Sequence, residues 1–124
     1  MAFSTYLADA LLDHVLRGVG YTSPTNVYVS LHSADPGRTG ANEVTAYTGD
    51  RKVGSFVAAS ARTSSTDTDL DFEDMPATTV THYGVWDAAT AGNFLYGGAA
   101  NSSTSVSAGE TFRLPAGDLT VEHD

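Results

Sequence analysis

The chain has 124 residues, no cysteine and a formal net charge of -9 at pH 7. This length is typical of a single domain, here residues 1–124, that folds alone with little stability to spare. The missing thiols exclude disulfides and thiolate metal sites. The acid excess argues against binding bare nucleic acid or anionic membranes, which need clustered Lys and Arg. No apolar run is long enough for membrane insertion.

The few basic residues are unusual in kind, because Lys52 is the sole lysine and the others are arginines. An acidic, lysine-poor surface holds water and stays soluble in concentrated salt, where surface charges are screened within about 3 Å at 1 M. The composition therefore fits a halophilic source, for example a haloarchaeal host. An ordinary acidic domain explains it equally well, so both interpretations stay open.

The N-terminal segment has the pattern of an amphipathic helix over about 4–17. Its apolar stripe recurs every four residues, at Phe3, Leu7, Leu11 and Val15. Ser4 can cap the start, and Gly18 can end the helix. A lone helix must lay its stripe on something, either the sheet of its own chain or another subunit. The pattern leaves both open.

The rest of the chain predicts short strands separated by turn signals. The expected strands are 26–32, 53–59, 69–73, 80–86, 94–96, 111–114 and 119–121. Polar or turn-forming segments separate them at 33–37, 38–52, 87–93, 101–105 and 115–118. The strands on either side of 87–93 predict one hairpin, and those on either side of 115–118 predict a last one. The fold class is therefore mainly β: an antiparallel β-sandwich or small barrel over about 26–122, with one N-terminal α-helix.

Histidines and carboxylates are the candidate chemical groups, and neither forms a recognisable site. His32 and His82 lie on predicted strands that the fold could bring together, but sheet-surface histidines are the simpler interpretation. The acidic run over 67–74 could hold a cation, although its spacing fits a calcium loop poorly. Its acidic residues alternate with Leu70 and Phe72, which fits one solvent-exposed face of a strand. No nucleophile elbow or phosphate loop is present. We therefore assign no catalytic, cofactor-binding or metal residue, expect no cofactor, and expect no enzyme.

Other features point to recognition by surfaces. Asn101 begins the sequence Asn-Ser-Ser, which matches the N-glycosylation pattern. A pattern this short is often matched by chance. The loops 38–52 and 87–93 are candidate contact tips, because loops on a rigid β scaffold usually carry recognition. The aromatic residues that could form a sugar-binding or subunit-binding surface are Tyr6, Tyr21, Tyr28, Tyr47, Tyr83, Trp86 and Tyr96. Most of them are expected to pack in the core or on a sheet face.

Three stretches together resemble a family of small virion structural proteins of tailed phages, labelled tail fibre or accessory head (decoration) proteins. They are YLADALLDHVLR at 6–17 with YTSP at 21–24 and VYVSL at 27–31; THYGVWDAATAGNFLYG at 81–97; and SAGETFRLPAGDLTV at 107–121. The resemblance leaves 32–80 as the variable part. It implies a subunit of a symmetric assembly on the particle exterior and brings no catalytic residues.

The leading hypothesis is a virion structural protein, assembled in the host cytoplasm as a homo-oligomer on the particle exterior. As a head decoration or vertex turret subunit, its partners would be copies of itself and other virion proteins. The alternative is a tail-fibre component, or a module of the same particle that binds a host-surface receptor or glycan. The sequence fixes neither the head or tail position nor the symmetry.

Overall fold

The computed structural model describes residues 2–45 and 51–123, and the chain over these residues is mainly β with one N-terminal helix. The helix α1 is Thr5–Arg17. In chain order the strands are β1 (Ala2–Phe3), β2 (Val27–His32), β3 (Lys52–Gly54), β4 (Thr63–Ser65), β5 (Leu70–Phe72), β6 (Thr78–Trp86), β7 (Phe94–Val106), β8 (Phe112–Leu114) and β9 (Thr120–Glu122). Within the described ranges, no helix is both long and apolar enough to cross a membrane.

The helix begins and ends where its local sequence predicts. The Ser4 hydroxyl accepts a hydrogen bond from the Leu7 amide at 3.0 Å, which satisfies one of the free amides of the first turn. Gly18 follows the last turn with φ of 70°, a left-handed conformation that glycine adopts without strain. The predicted helix at about 4–17 is confirmed.

The main sheet has five strands in the order β1-β7-β6-β2-β3, and every described pair is antiparallel. β6 and β7 form the predicted hairpin around the loop 87–93. Asp87 closes this loop, since its carboxylate accepts hydrogen bonds from the Asn93 amide at 2.7 Å and from the Asn93 side chain at 2.9 Å. Register shifts in the β6·β7 ladder mark bulges beside Val80 and Trp86.

β4, β5 and β6 pair in that order with β9, β8 and β7, so the chain from β4 to β9 is one interrupted antiparallel ladder. Between β5·β8 and β6·β7 the two sides stay joined, because Gly109 donates to the Met75 carbonyl and Met75 donates to the Glu110 carbonyl. The predicted hairpin of 111–114 with 119–121 is therefore wrong. The turn at 115–118 carries the chain from β8, which pairs with β5, to β9, which pairs with β4.

Other strand boundaries also differ from the predictions. The strand expected over 53–59 ends at Gly54, and only an isolated bridge between Phe56 and Thr66 continues it. β7 runs on through 101–105, which the polar composition placed outside a strand. β1 and β4 were not predicted, because two or three residues carry no visible periodicity.

The core lies where the main sheet packs on α1 and the two small sheets. Its fully buried members include Leu31 from β2, Phe72 from β5 and Leu114 from β8. A buried side chain of this size contributes about 1.5–3 kcal/mol, so these contacts hold the main sheet and the β5·β8 sheet together. The described strands form open sheets with no closed barrel, and the sandwich-like alternative of the predicted fold class is the one observed.

Candidate interaction surface and buried polar cluster

An apolar patch lies exposed on the outer side of α1. Leu7 is buried and Leu11 is partly buried against the core, as the predicted stripe requires. Leu12, Val15 and Leu16, however, are 56%, 74% and 74% exposed. The chain's own sheet therefore covers the first half of the stripe and leaves Val15 in solvent. Val15 lies next to Leu12 and Leu16, which the predicted four-residue stripe did not include.

An open hollow of about 390 Å³ accompanies this patch, and all of its lining residues are apolar: Phe3, Ala8, Leu11, Leu12, Val15 and Leu16. Exposed apolar surface that is concave and contiguous is typical of protein interaction sites. We call these six residues the helix patch.

A buried polar cluster lies on one face of the main sheet. The Trp86 indole donates to the Ser30 hydroxyl at 2.9 Å, and this hydroxyl lies 2.7 Å from Nε2 of His32. Nδ1 of His32 lies 2.7 Å from the Ala41 carbonyl oxygen. Because a carbonyl only accepts, Nδ1 carries a proton, and in the neutral ring Nε2 accepts a hydrogen bond from the Ser30 hydroxyl. Burial lowers the pKa of His32 below its usual value.

Arg51 contacts the buried polar cluster on its Trp86 side. Its guanidinium makes two hydrogen bonds to the Glu43 carboxylate, at 2.7 and 2.9 Å, and lies 3.6 Å from the ring centre of Trp86. It also donates to the carbonyls of Ala88 and Ala91, at 3.0 and 2.8 Å. The Arg51 and Glu43 side chains are only 8% and 16% exposed, so solvent screens this ion pair much less than a surface one. Through its bonds to Ala88 and Ala91, Arg51 also ties the two predicted contact loops, 38–52 and 87–93, to each other.

The structure places His32 directly opposite His82 on adjacent strands, as the sequence allowed. The two rings have different partners, since Nδ1 of His82 bonds to the Thr81 hydroxyl at 2.8 Å. The interpretation of His32 as a sheet-surface histidine is wrong, because the residue is 0% exposed under the segment that contains Ala41. No group of three or more potential metal ligands occurs among the described residues.

The acidic run uses its carboxylates in local contacts. Asp71 forms a two-bond ion pair with Arg113 of β8 at 2.8 and 3.0 Å. Asp69 accepts from the Ala116 amide at 2.9 Å. Hydrogen bonding to Arg113 lowers the pKa of Asp71. Leu70 and Phe72 point into the core, so the predicted alternation of a wet and a buried strand face is confirmed.

A second concave surface lies between the main sheet and β4·β9. It is an apolar groove of about 320 Å³, lined by residues that include Val27, Phe56, Leu95, Tyr96 and His123. The Tyr96 hydroxyl lies 2.6 Å from Nε2 of His123, and burial raises the pKa of Tyr96. This contact holds the end of the described chain against the main sheet.

The remaining candidates differ in how far they are exposed. Asn101 is exposed on β7. Tyr83 and Trp86 are buried and present no contact surface, whereas Tyr6 is 41% exposed on the helix. Tyr47 and the rest of 46–50 lie outside the described residues.

Sequence reasoning did not find the Glu43–Arg51–Trp86 stack, because nothing local links these residues. Leu12 and Leu16, by contrast, could have been found from the sequence. They widen the apolar arc of α1 beyond what one sheet can cover.

Comparison with known proteins gives one family match. A family model described as podophage GP4 fiber I protein gp80 matches residues 2–122. The matched range includes every helix and strand of the described fold. No curated protein matches the chain.

Proposed function

This chain belongs to the podophage GP4 fiber I protein gp80 family, and on that premise we propose that it is a virion structural protein, a subunit of a fibre on a tailed-virus particle. The observation that carries the proposal is the family match over residues 2–122. It makes the virion role a property of the whole domain and not of one motif. The proposed location is the assembled particle, reached from the host cytoplasm.

The sequence resemblance placed a head decoration or vertex turret first and a fibre second. We now prefer the fibre, because the matching family is described by that word. The proposed partners are other copies of this chain and neighbouring virion proteins, and the exposed helix patch supports such contacts.

We further propose that the protein acts without catalysing a reaction. The 2.7 Å contact between Ser30 and His32 has the form of a nucleophile and its base. Both residues are 0% exposed, and the Ser30 hydroxyl already accepts from Trp86. A substrate would have to displace the covering segment to reach the pair, which supports a structural role for it.

A second candidate function is recognition of a host-surface receptor or glycan. The observation in its favour is the contact of Arg51 with Glu43, Ala88 and Ala91, which joins the described parts of the two loops. Binding of the isolated protein to host cells, compared with the same protein carrying Arg51→Ala, tests this candidate. Undiminished binding by a correctly folded variant would speak against the tip as the contact.

Electron microscopy of purified particles labelled with antibodies to this chain tests the main proposal. Label along fibres supports it, and label on the capsid surface or vertices overturns the fibre assignment in favour of the head alternative. Absence of the chain from purified infectious particles overturns the virion role itself.

A further inference from the structure

The exposed residues of the helix follow the spacing of a coiled-coil seam. Within α1, Ala8, Leu12 and Val15 are separated by four and three positions. Leu12 and Val15 are 56% and 74% exposed. Since the core contacts α1 on the side of Leu7, a single copy of the fold leaves this row of side chains in water.

The residues that flank the seam favour a parallel neighbour. Leu11 lies on one flank, and Leu16 and Asp9 lie on the other. Two parallel helices bring Leu11 of one copy against Leu16 of the next, which pairs apolar groups. An antiparallel pair would instead bring the Asp9 carboxylate against Leu16, and burying an unpaired charge is costly.

Charge complementarity supports the same arrangement. In a parallel pair Asp9 lies level with residue 4 of the neighbouring copy. The Arg38 guanidinium lies near that level, because it donates to the Phe3 carbonyl at 2.9 Å. Within 2–45 and 51–123, the ion pairs involve neither Asp9 nor Arg38. Each is thus available to a neighbouring copy.

The geometry points to the helix patch as the interface between copies of this chain, arranged in parallel around a rotation axis. In coiled coils, leucine at the position of Leu12 together with a β-branched residue at that of Val15 favours assemblies of three or four helices over two. In such a ring the outer Leu16 of one copy enters the apolar hollow of the next. This inference rests on the proposed function for its partner, a second copy on the same particle.

Mass measurement of the full-length protein by light scattering or sedimentation tests the interface. We expect three or four times the 12.9 kDa chain mass. Leu16→Glu should shift the assembly midpoint by more than about 100-fold in concentration, because it places a charge in the apolar hollow of the neighbouring copy. Val53→Glu is the matched control, since Val53 is 52% exposed on β3, away from the helix, and should assemble like the unchanged protein.

A monomeric unchanged protein, or equal effects of Leu16→Glu and Val53→Glu, would overturn the interface. Orientation is tested with Ala8→Cys, a clean probe because the chain has no other cysteine. Parallel copies bring these thiols together at the axis, and oxidation should join them. An oligomer whose copies do not cross-link would overturn the parallel arrangement.

The two proposals fail separately. A monomer that is nevertheless found on particles removes this interface and leaves the virion role. An oligomer that is absent from particles removes the virion role and leaves this interface.

Discussion

Gly40 and Gly37 lie in the same loop and differ in one respect that stability measurements can isolate. Both have positive φ, 82° and 62°. A Cβ atom added at Gly40 would lie 2.5 Å from Cζ2 of Trp86, whereas one added at Gly37 meets nothing within 4 Å. Trp86 cannot move aside freely, because its indole donates to Ser30 and Arg51 covers its ring.

Gly37→Ala should therefore cost only the left-handed backbone penalty, about 1 kcal/mol. Gly40→Ala should add an overpacking cost of about 1–3 kcal/mol, for a total of about 2–4 kcal/mol. Urea unfolding followed by the fluorescence of the single tryptophan measures both, with circular dichroism as a second probe. The difference should lower the midpoint by about 1 M for a domain of this size. Equal midpoints for the two variants would refute the packing of Gly40 on Trp86.

The remaining predictions concern the buried cluster and the surface charge. Arg51→Lys should destabilise the fold by about 2–3 kcal/mol in thermal unfolding, because lysine cannot replace the two-bond contact with Glu43 and the stacking on Trp86. An effect no larger than that of the same substitution at an exposed arginine would contradict this stabilising role of Arg51. His32 should titrate in NMR spectra below the ordinary histidine pKa, because burial lowers the pKa of His32. Its contribution to stability is complete above about pH 6.5, the unfolded value, and is lost as pH falls toward the lower folded pKa. Titration of His32 at the unfolded value would show that its ring is accessible. If the acidic, lysine-poor surface reflects a salt-adapted source, stability should rise with KCl concentration, and maximal stability at low salt would exclude that origin.

The features predicted correctly are those with a local cause. The helix is specified by its own stripe and by residues within one turn of each end, Ser4 and Gly18. β2 is visible from its alternation, and the loop 87–93 from its turn-forming composition. Each depends on neighbours a few residues apart, which a single sequence displays.

The errors arise where distant segments decide the outcome. The turn at 115–118 looks like a hairpin turn, yet Gly117 donates to the Thr66 carbonyl and the strands on its two sides pair with β5 and β4. Alternation in β2 marks one apolar face, but the segment containing Ala41 folds over the other and buries His32. Strand pairing and loop covering depend on the whole chain, so no local pattern reports them.

The ladder that runs from β4 to β9 has a consequence for how the domain forms. Its loop 87–93 closes through contacts between Asp87 and Asn93, only six residues apart, so nucleation there costs little chain entropy. We expect each further pair to form beside an already closed neighbour, so that β4·β9 joins last. In a protein synthesised from its N-terminus, α1 therefore cannot make its contacts with β7 until the second side of the ladder has left the ribosome.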